Sequence, residues 1–190
     1  IGSSPTMIYF GQEVGEPGDG DAGFGKATRT TIFDYWGVPA HQRWMNDGAF
    51  DGGALSDEKR KLREFYARLL NLSASHAAMR GDYAHLPSSA DPVFAFARWQ
   101  DDARTIVISN FSRTDAADFT LNVPAKLIAA FGVDDGRYEL ADLLNDGDVA
   151  SLLVADGQGA VRISIGPLDS RVYEIRGARF QVRDSTKSSN

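Results

Sequence analysis

Apolar and polar residues alternate through the second half of the chain, from about residue 82 onward. A period of two places successive side chains on opposite faces of a strand. Clusters of Asp, Asn, Gly and Gln separate the alternating segments, as at 100–102, 134–136 and 145–148. The spacing predicts an antiparallel β-sandwich over residues 82–178. Its predicted strands are Val93–Trp99, Arg104–Asn110, Phe119–Val123, Arg137–Leu140, Ser151–Ala155, Ala160–Ile165 and Arg171–Ile175.

A turn sequence, Asp-Gly-Gln-Gly at residues 156–159, joins two of these predicted strands. Asp and Gly are typical of tight turns, so we expect a β-hairpin with a four-residue loop here. Residues 179–190 are polar and are expected to form a tail outside the sheet.

A helical pattern precedes the strands, with Ser56 as a suitable N-cap and two acidic residues in the first turn that complement the helix dipole. One amphipathic face follows from the spacing of Leu62, Phe65, Tyr66, Leu69 and Leu70. The remaining surface of the helix is strongly basic. We interpret it as a solvated outer face rather than a binding patch; it carries Lys59, Arg60, Lys61, Arg63 and Arg68.

Four consecutive apolar residues, Met7 to Phe10, lie between Pro5 and Gly11. A short run that is apolar on both faces is typical of a fully buried strand in a parallel sheet, and this run is too short for a helix. Such a strand needs neighbours, and none precedes it in the sequence. We therefore expect the chain to be the tail of a longer protein, with residues 1–81 contributing a strand, a long loop and a helix to an α/β domain.

The stretch Gly11–Ser56 shows neither a helical nor an alternating pattern. Loops between a strand and a helix usually have about 2–6 residues, and much longer ones are generally functional or disordered. Large apolar residues are too numerous here for disorder. We therefore expect a folded loop that packs on a scaffold through Phe24, Phe33, Tyr35, Trp36, Trp44, Met45 and Phe50.

Composition narrows the range of partners. A net charge of −6, from 20 basic and 26 acidic residues, argues against electrostatic binding to nucleic acid or anionic lipid and suits a neutral ligand. The absence of cysteine excludes disulfides and thiolate chemistry. No apolar run approaches the roughly 18 residues of a membrane span, and the composition is that of a soluble protein. Because the N-terminus is expected to be internal, the compartment stays unassigned.

Residues 5–13, Pro-Thr-Met-Ile-Tyr-Phe-Gly-Gln-Glu, resemble the eighth-strand signature of the alpha-amylase family of glycoside hydrolases. That signature reads roughly Gly-x-Pro-x-(Ile/Leu)-Tyr-(Tyr/Phe)-Gly-x-Glu. The entry to the strand departs slightly, because two residues separate Gly2 from Pro5.

Further segments resemble later parts of the same family, in the same order along the chain. Residues 32–35 and 41–46 are similar to the loop before the family's eighth helix. Residues 136–144 and 166–173 are similar to its C-terminal β-sandwich. The resemblance therefore covers nearly the whole chain.

The resemblance implies a fold class of two parts: an α/β remnant, which is the last βα unit of a TIM (β/α)8 barrel with a long loop, followed by an all-β antiparallel sandwich. Family members hydrolyse or transfer α-glucosidic bonds by a retaining mechanism, which needs two carboxylates about 5–5.5 Å apart. In the family these carboxylates, and a third acidic residue, lie on earlier barrel strands. The resemblance thus implies a parent enzyme acting on α-glucans or maltooligosaccharides, and a chain that lacks the catalytic residues and is inactive alone.

Six residues are candidates for contact with the substrate. Gln12 and Glu13 follow the predicted strand, and the C-terminal ends of strands carry the functional groups of such barrels. The rings of Tyr35, Trp36 and Trp44 offer flat faces for stacking on sugars. For these five residues a structural role within the loop is favoured. For the sixth, Arg43, we favour an ion pair with an acidic loop residue over contact with the substrate.

Asp19-Gly20-Asp21 begins like a calcium-binding loop. The later positions do not continue the motif, because Gly23 stands at the fifth position and Thr30 at the twelfth, where a bidentate Glu belongs. We therefore expect no metal and no cofactor, with Ca²⁺ at this acidic loop as the minor alternative.

A β-sandwich carbohydrate-binding module without catalysis is the alternative function. Such a module needs several exposed, coplanar aromatic rings. The aromatic residues of the predicted sandwich, among them Trp99, Tyr138 and Tyr173, fall mostly at alternating positions expected to face the core. This pattern favours a supporting role for the sandwich.

Overall fold

The chain divides into two compact units, residues 1–73 (unit 1) and residues 74–190 (unit 2). The structure is a computed structural model, and it describes residues 7–17, 38–145 and 149–178.

Unit 2 is built on one eight-stranded sheet in which every pairing is antiparallel. Its strands are β1 Asp82–Leu86, β2 Val93–Gln100, β3 Ala103–Asn110, β4 Ala117–Val123, β5 Gly136–Asp142, β6 Val149–Ala155, β7 Gln158–Ile165 and β8 Ser170–Ala178. Their order in the sheet is β1-β2-β3-β8-β5-β6-β7-β4. The end strands β1 and β4 approach each other, so the sheet nearly closes on itself.

The predicted antiparallel all-β architecture is confirmed, and all seven predicted strands form. They belong to one continuous sheet together with β1, which the sequence pattern did not indicate. The strand β1 escapes detection because only one of its five side chains, Leu86, is fully buried. A strand at the edge of a sheet does not need the alternation that a half-buried strand needs.

Alternating side chains from these strands fill a single core. On β4 and β7 every second residue is buried, which is the pattern that the sequence predicted. A short helix that the sequence did not indicate, α3 Ala125–Phe131, adds Leu127, Ile128 and Phe131 to this core. Strands, core and α3 together give unit 2 its own hydrophobic interior.

The predicted β-hairpin between β6 and β7 forms, but its loop has two residues rather than four. Ala155 pairs directly with Gln158, which leaves Asp156 and Gly157 as the turn. Both turn residues have positive φ, 50° and 70°, as the tight turn that suits the strand twist requires. The Asp135 carboxylate accepts hydrogen bonds from both backbone N–H groups, at 3.0 and 2.9 Å, and so holds the turn closed.

Two α-helices begin in unit 1: α1 Pro39–Met45 and α2 Asp57–Ser75. The second confirms the predicted helix, and the Ser56 hydroxyl accepts a hydrogen bond from the Lys59 N–H at 3.4 Å, as an N-cap does. Short 3-10 helices at Gln12–Val14 and Asn46–Gly48, together with α1, lie inside the stretch predicted to lack regular structure. No helix in the described ranges has the length and apolarity needed to cross a membrane.

The predicted buried strand at residues 7–10 is wrong. The described part of this segment lies in no strand, and Met7 and Tyr9 are 88% and 47% exposed. A strand requires a neighbour to satisfy its backbone hydrogen bonds, and no described residue of unit 1 belongs to one. The strand-loop-helix unit of a barrel is therefore not formed in the described residues.

A partly buried carboxylate on β8, Glu174, connects two basic side chains within unit 2. Its Oε1 lies 3.1 Å from His76 Nε2, and its Oε2 accepts a 2.7 Å hydrogen bond from Arg176 Nε. Burial raises the pKa of Glu174, but hydrogen bonds from Arg176 and His76 lower it more, and the net shift is downward from the ordinary value of 4.5. The carboxylate is therefore stabilised in its charged form by folding.

We expect Glu174→Gln to lower the free energy of unfolding by about 1 kcal/mol at pH 7. Because the folded pKa lies below the unfolded one, the stabilisation is present above the unfolded pKa and is lost as pH falls through the folded pKa. Urea unfolding of both proteins at pH 7 and at lower pH measures this dependence. The two curves should converge in acid, and a difference that stays constant with pH would contradict the assignment.

Candidate functional site

The segment after residue 10 makes a tight turn at Gly11. Its carbonyl accepts hydrogen bonds from the N–H groups of Val14 and Glu16, at 3.2 and 2.9 Å. Gly11 has φ 79°, and a Cβ atom there would lie 2.5 Å from the Glu16 Cβ. Only glycine satisfies both the left-handed backbone and the close approach. The turn directs the Glu16 side chain into unit 1.

The Glu16 carboxylate links this turn to α1. Its Oε2 accepts hydrogen bonds from the backbone N–H groups of Ala40 and His41, each at 3.0 Å. These N–H groups lie in the first turn of the helix, where they have no partner within the helix itself. Glu16 is only 8% exposed, so both bonds are shielded from water. One side chain thus holds together two segments that are 24 residues apart in sequence.

Sequence reasoning missed Glu16, because a glutamate before a proline in a glycine-rich stretch indicates only a loop. The start of α1 had a usable signal, since Pro39 occupies the first helical position, where proline is favoured. Only the folded structure shows which carboxylate serves the N–H groups at that helix start.

A cluster of aromatic rings packs beside this link, with His41 at its centre. The Phe10 ring stacks on His41 at 4.6 Å, and Trp44 meets His41 edge-on at 5.7 Å. Phe50 lies against the other side of the cluster, 5.8 Å from Trp44. The Arg63 guanidinium lies 4.4 Å from the centre of the Trp44 ring, in a cation–π contact. Trp44 therefore packs within unit 1 on several sides, and Arg63 covers one of its faces.

The basic face predicted for α2 is only partly solvated. Arg63 is half-buried against Trp44, so the prediction of a fully solvated face is wrong at this position. Arg60 donates to the Leu55 carbonyl at 3.2 Å and lies 3.3 Å from Asp57. Arg60 therefore bonds to groups at the start of α2 and Arg63 packs on Trp44, so these two arginines do not form a free cationic patch.

An open cavity of about 480 Å³ lies between residues 8–13 and α2. Glu13 and Arg63 bring opposite charges to it, and tyrosine and asparagine side chains add further polar groups. Such groups can hydrogen-bond the hydroxyls of a neutral ligand. Glu13 is the only carboxylate among the described lining residues, whereas retaining glycosidases need two. The described lining residues can therefore hydrogen-bond a polar ligand, but they include no pair of carboxylates.

The structure places four of the six predicted site residues. Gln12 is exposed, and its Oε1 accepts a hydrogen bond from the Tyr9 N–H at 3.2 Å. Glu13 lines the cavity described above, Trp44 belongs to the ring cluster, and Arg43 is exposed in the last turn of α1.

Tyr35 and Trp36 lie outside the described residues, as does the acidic loop around Asp19 and Asp21 that was considered for Ca²⁺. Among the residues that the structure does describe, no group of three or more acidic or histidine side chains is arranged to hold a metal ion.

We expect Glu16→Gln to destabilise unit 1 by about 1–3 kcal/mol, because two N–H groups then lose a charged acceptor in a shielded position. Tryptophan fluorescence during urea unfolding should report the loss, with Trp99→Phe introduced into all the proteins compared so that the signal comes from unit 1. Glu64→Gln, on the exposed side of α2, is the matched control and should leave the transition unchanged. Equal transitions for the two variants would show that the Glu16 link does not stabilise unit 1.

The chain matches no protein-family model and no curated protein sequence. It does match solved structures. AmyP in complex with maltose is 21% identical with a TM-score of 0.51, over 87% of this chain and 30% of that protein. An Anoxybacillus alpha-amylase is 19% identical with a TM-score of 0.47, over 70% of this chain and 26% of the enzyme. The maltogenic alpha-amylase AmyB from Thermotoga neapolitana is 11% identical with a TM-score of 0.47, over 61% and 26%.

The chain spans less than a third of each of these solved proteins. At such low identity the AmyP match is a similarity of fold. The predicted resemblance to the alpha-amylase family is confirmed as a similarity of fold, through the AmyP match.

Proposed function

We propose that this chain is the C-terminal portion of an alpha-amylase-type retaining glycoside hydrolase that acts on α-glucans or maltooligosaccharides. The observation that carries the proposal is the fold similarity to AmyP, which extends over 87% of this chain. AmyP was solved with maltose bound. The family motifs at residues 5–13, 41–46 and 136–144 occur in the expected order and support the same conclusion.

Unit 1 contributes part of the wall of the substrate cleft in this proposal. The cavity that contains Glu13 and Arg63 supports this role, because it offers both hydrogen-bond acceptors and donors to sugar hydroxyls. Gln12 and Arg43 are exposed and extend the polar surface. Trp44, with Arg63 over one face, acts mainly by holding Arg63 in place. The rings of Tyr35 and Trp36 belong to the same proposed wall.

The catalytic carboxylates belong to the upstream barrel of the parent enzyme in this proposal. Retaining hydrolysis needs a nucleophile and an acid/base group about 5–5.5 Å apart, and the cavity of unit 1 offers one carboxylate. Unit 2 serves as a supporting β domain. The partner is a neutral glucan, in keeping with a net charge of −6, and neither nucleic acid nor membrane is a partner.

A second candidate function, glucan binding by unit 2 without catalysis, is favoured by the position of its aromatic rings. Tyr138 and Tyr173 are buried as expected, but Phe94 and Phe111 are 41% and 62% exposed. The expectation that the rings mostly face the core is therefore wrong for these two. Ala95 and Ala97 occupy the core-facing positions of β2 instead, which turns the Phe94 side chain outward.

We expect the 190-residue chain alone to release no reducing sugar from soluble starch or maltoheptaose. The longer protein that carries the upstream barrel should hydrolyse maltoheptaose and release the product first as its α-anomer, which NMR detects during the reaction. Hydrolysis by the 190-residue chain itself would contradict the proposal. So would a longer chain that lacks acidic residues at the ends of three barrel strands.

A further inference from the structure

The sheet of unit 2 leaves a seam between its two end strands, β1 and β4. A cavity of about 390 Å³ lies at this seam, which is within the range of small-ligand sites. One wall is the outer edge of β1, and the opposite wall is the start of α3. The lining residues that matter here are Asp82, Tyr83, His85, Trp99, Lys126 and Leu127.

The register of β1 with β2 shows on which face of the sheet each lining side chain lies. Asp82 is paired with Trp99, so these two side chains lie on the core side of the sheet. Tyr83 and His85 alternate with them and lie on the other side. Residues of both sets line the cavity, which therefore wraps around the edge of β1. A ligand bound there would meet both faces of the sheet.

The polar groups of the cavity are balanced in charge. Asp82 contributes a carboxylate that accepts hydrogen bonds, and Lys126 contributes an ammonium group that donates them. One charge of each sign favours a neutral ligand with many hydroxyls over an anion or a cation. Trp99 supplies a large ring whose orientation is held by an edge contact with buried Phe131, at 5.7 Å. Aromatic area combined with a few directed polar groups is the chemistry that recognises sugars.

A row of rings continues from the cavity across the outer face of β1 and β2. Tyr83 lies 5.4 Å from Phe96, at an interplanar angle of 35°. His85 stacks on Phe94 at 5.3 Å and 27°, and Phe94 lies 5.8 Å from Phe96. Tyr83 is 52% exposed and Phe94 is 41% exposed, so the row is accessible. These rings form a continuous strip, the ring strip, beside the cavity.

We infer that unit 2 carries an α-glucan-binding site of its own, in which sugar residues occupy the seam cavity and the chain continues over the ring strip. The choice of an α-linked glucan rests on the proposed function. The site itself rests on the cavity, its balanced charges and the exposed rings.

Calorimetric titration of the whole 190-residue chain with maltoheptaose tests the inference. We expect binding with a dissociation constant of about 1 mM or tighter. Tyr83→Ala should weaken it by about tenfold, since stacking of a sugar on one aromatic ring contributes roughly that factor. Lys126→Met, which removes a donor but no core contact, should also weaken it several-fold.

Leu153→Ala is the matched control, because Leu153 is an exposed apolar residue of the same unit, on β6, that does not line the cavity. Its binding should equal that of the unaltered chain. Thermal unfolding of each variant checks that the fold is kept. Lys126→Met lies on the surface of α3, so it tests the site even if an aromatic variant unfolds.

Several results would overturn the inference. One is that no binding occurs even when the maltoheptaose concentration is raised to 20-fold above about 1 mM. Another is binding that neither Tyr83→Ala nor Lys126→Met weakens. Concentration-dependent dimerisation that Tyr83→Ala abolishes would show instead that a second copy of the chain occupies the β1 edge.

Cellohexaose, with β-linked glucose, separates this inference from the proposed function. Binding of cellohexaose in place of maltoheptaose would overturn both the α-glucan assignment and the proposed substrate. Binding of neither sugar would overturn the seam site alone, because activity of the longer protein on maltoheptaose is measured independently.

Discussion

The pairing of β8 with β3 on one side and β5 on the other is the interaction on which unit 2 depends. In the described sheet β8 is the only strand that joins β1-β2-β3 to β5-β6-β7-β4. The buried Asp142 carboxylate reinforces this position by accepting hydrogen bonds from the N–H groups of Leu144 and Val172, at 2.9 and 3.3 Å. Arg171 Nε lies 3.5 Å from the same carboxylate. Because β8 links the two halves of the described sheet, we expect unit 2 to unfold as one cooperative structure.

Unit 1 is organised by a much smaller set of contacts. Its fully buried apolar side chains are few among the described residues: Val14, Ala40 and Leu55 form one cluster with Trp44 against it. The helix α2 buries none of its side chains fully, and its predicted apolar face is left partly open. The Glu16 carboxylate adds two hydrogen bonds to the start of α1, which supplement the packing of so small a core.

The sequence predicted those strands and helices whose burial on one face leaves a local period in the chain. The seven alternating strands and the amphipathic helix α2 were found because burial on one face leaves a period in the chain. The features that the sequence did not predict correctly depend on partners that are distant in sequence. Residues 7–10 look like a buried strand, but a strand forms only where another strand completes its ladder. Glu16 could not be identified because its partners lie 24 residues later.

The aromatic rings of unit 2 show a further limit of pattern reading. Alternation states that Phe94 and Ala95 face opposite sides, but it does not state which side is the core. The rings are expected to face the core because they fall mostly at alternating positions, whereas the structure buries the alanines of β2 and leaves Phe94 on the surface. Small side chains suit the inner face because the core there is already filled from other strands and from α3. The same choice creates the exposed ring strip.

Native-state hydrogen exchange tests most directly the claim that the chain combines a cooperative β domain, unit 2, with a unit 1 that is held by few buried contacts. Amides of β3, β5 and β8 should exchange only through global unfolding of unit 2. Amides of residues 7–17 and α1 should exchange orders of magnitude faster, through local opening, as expected for segments with few buried contacts. Equal protection in the two units would contradict that division.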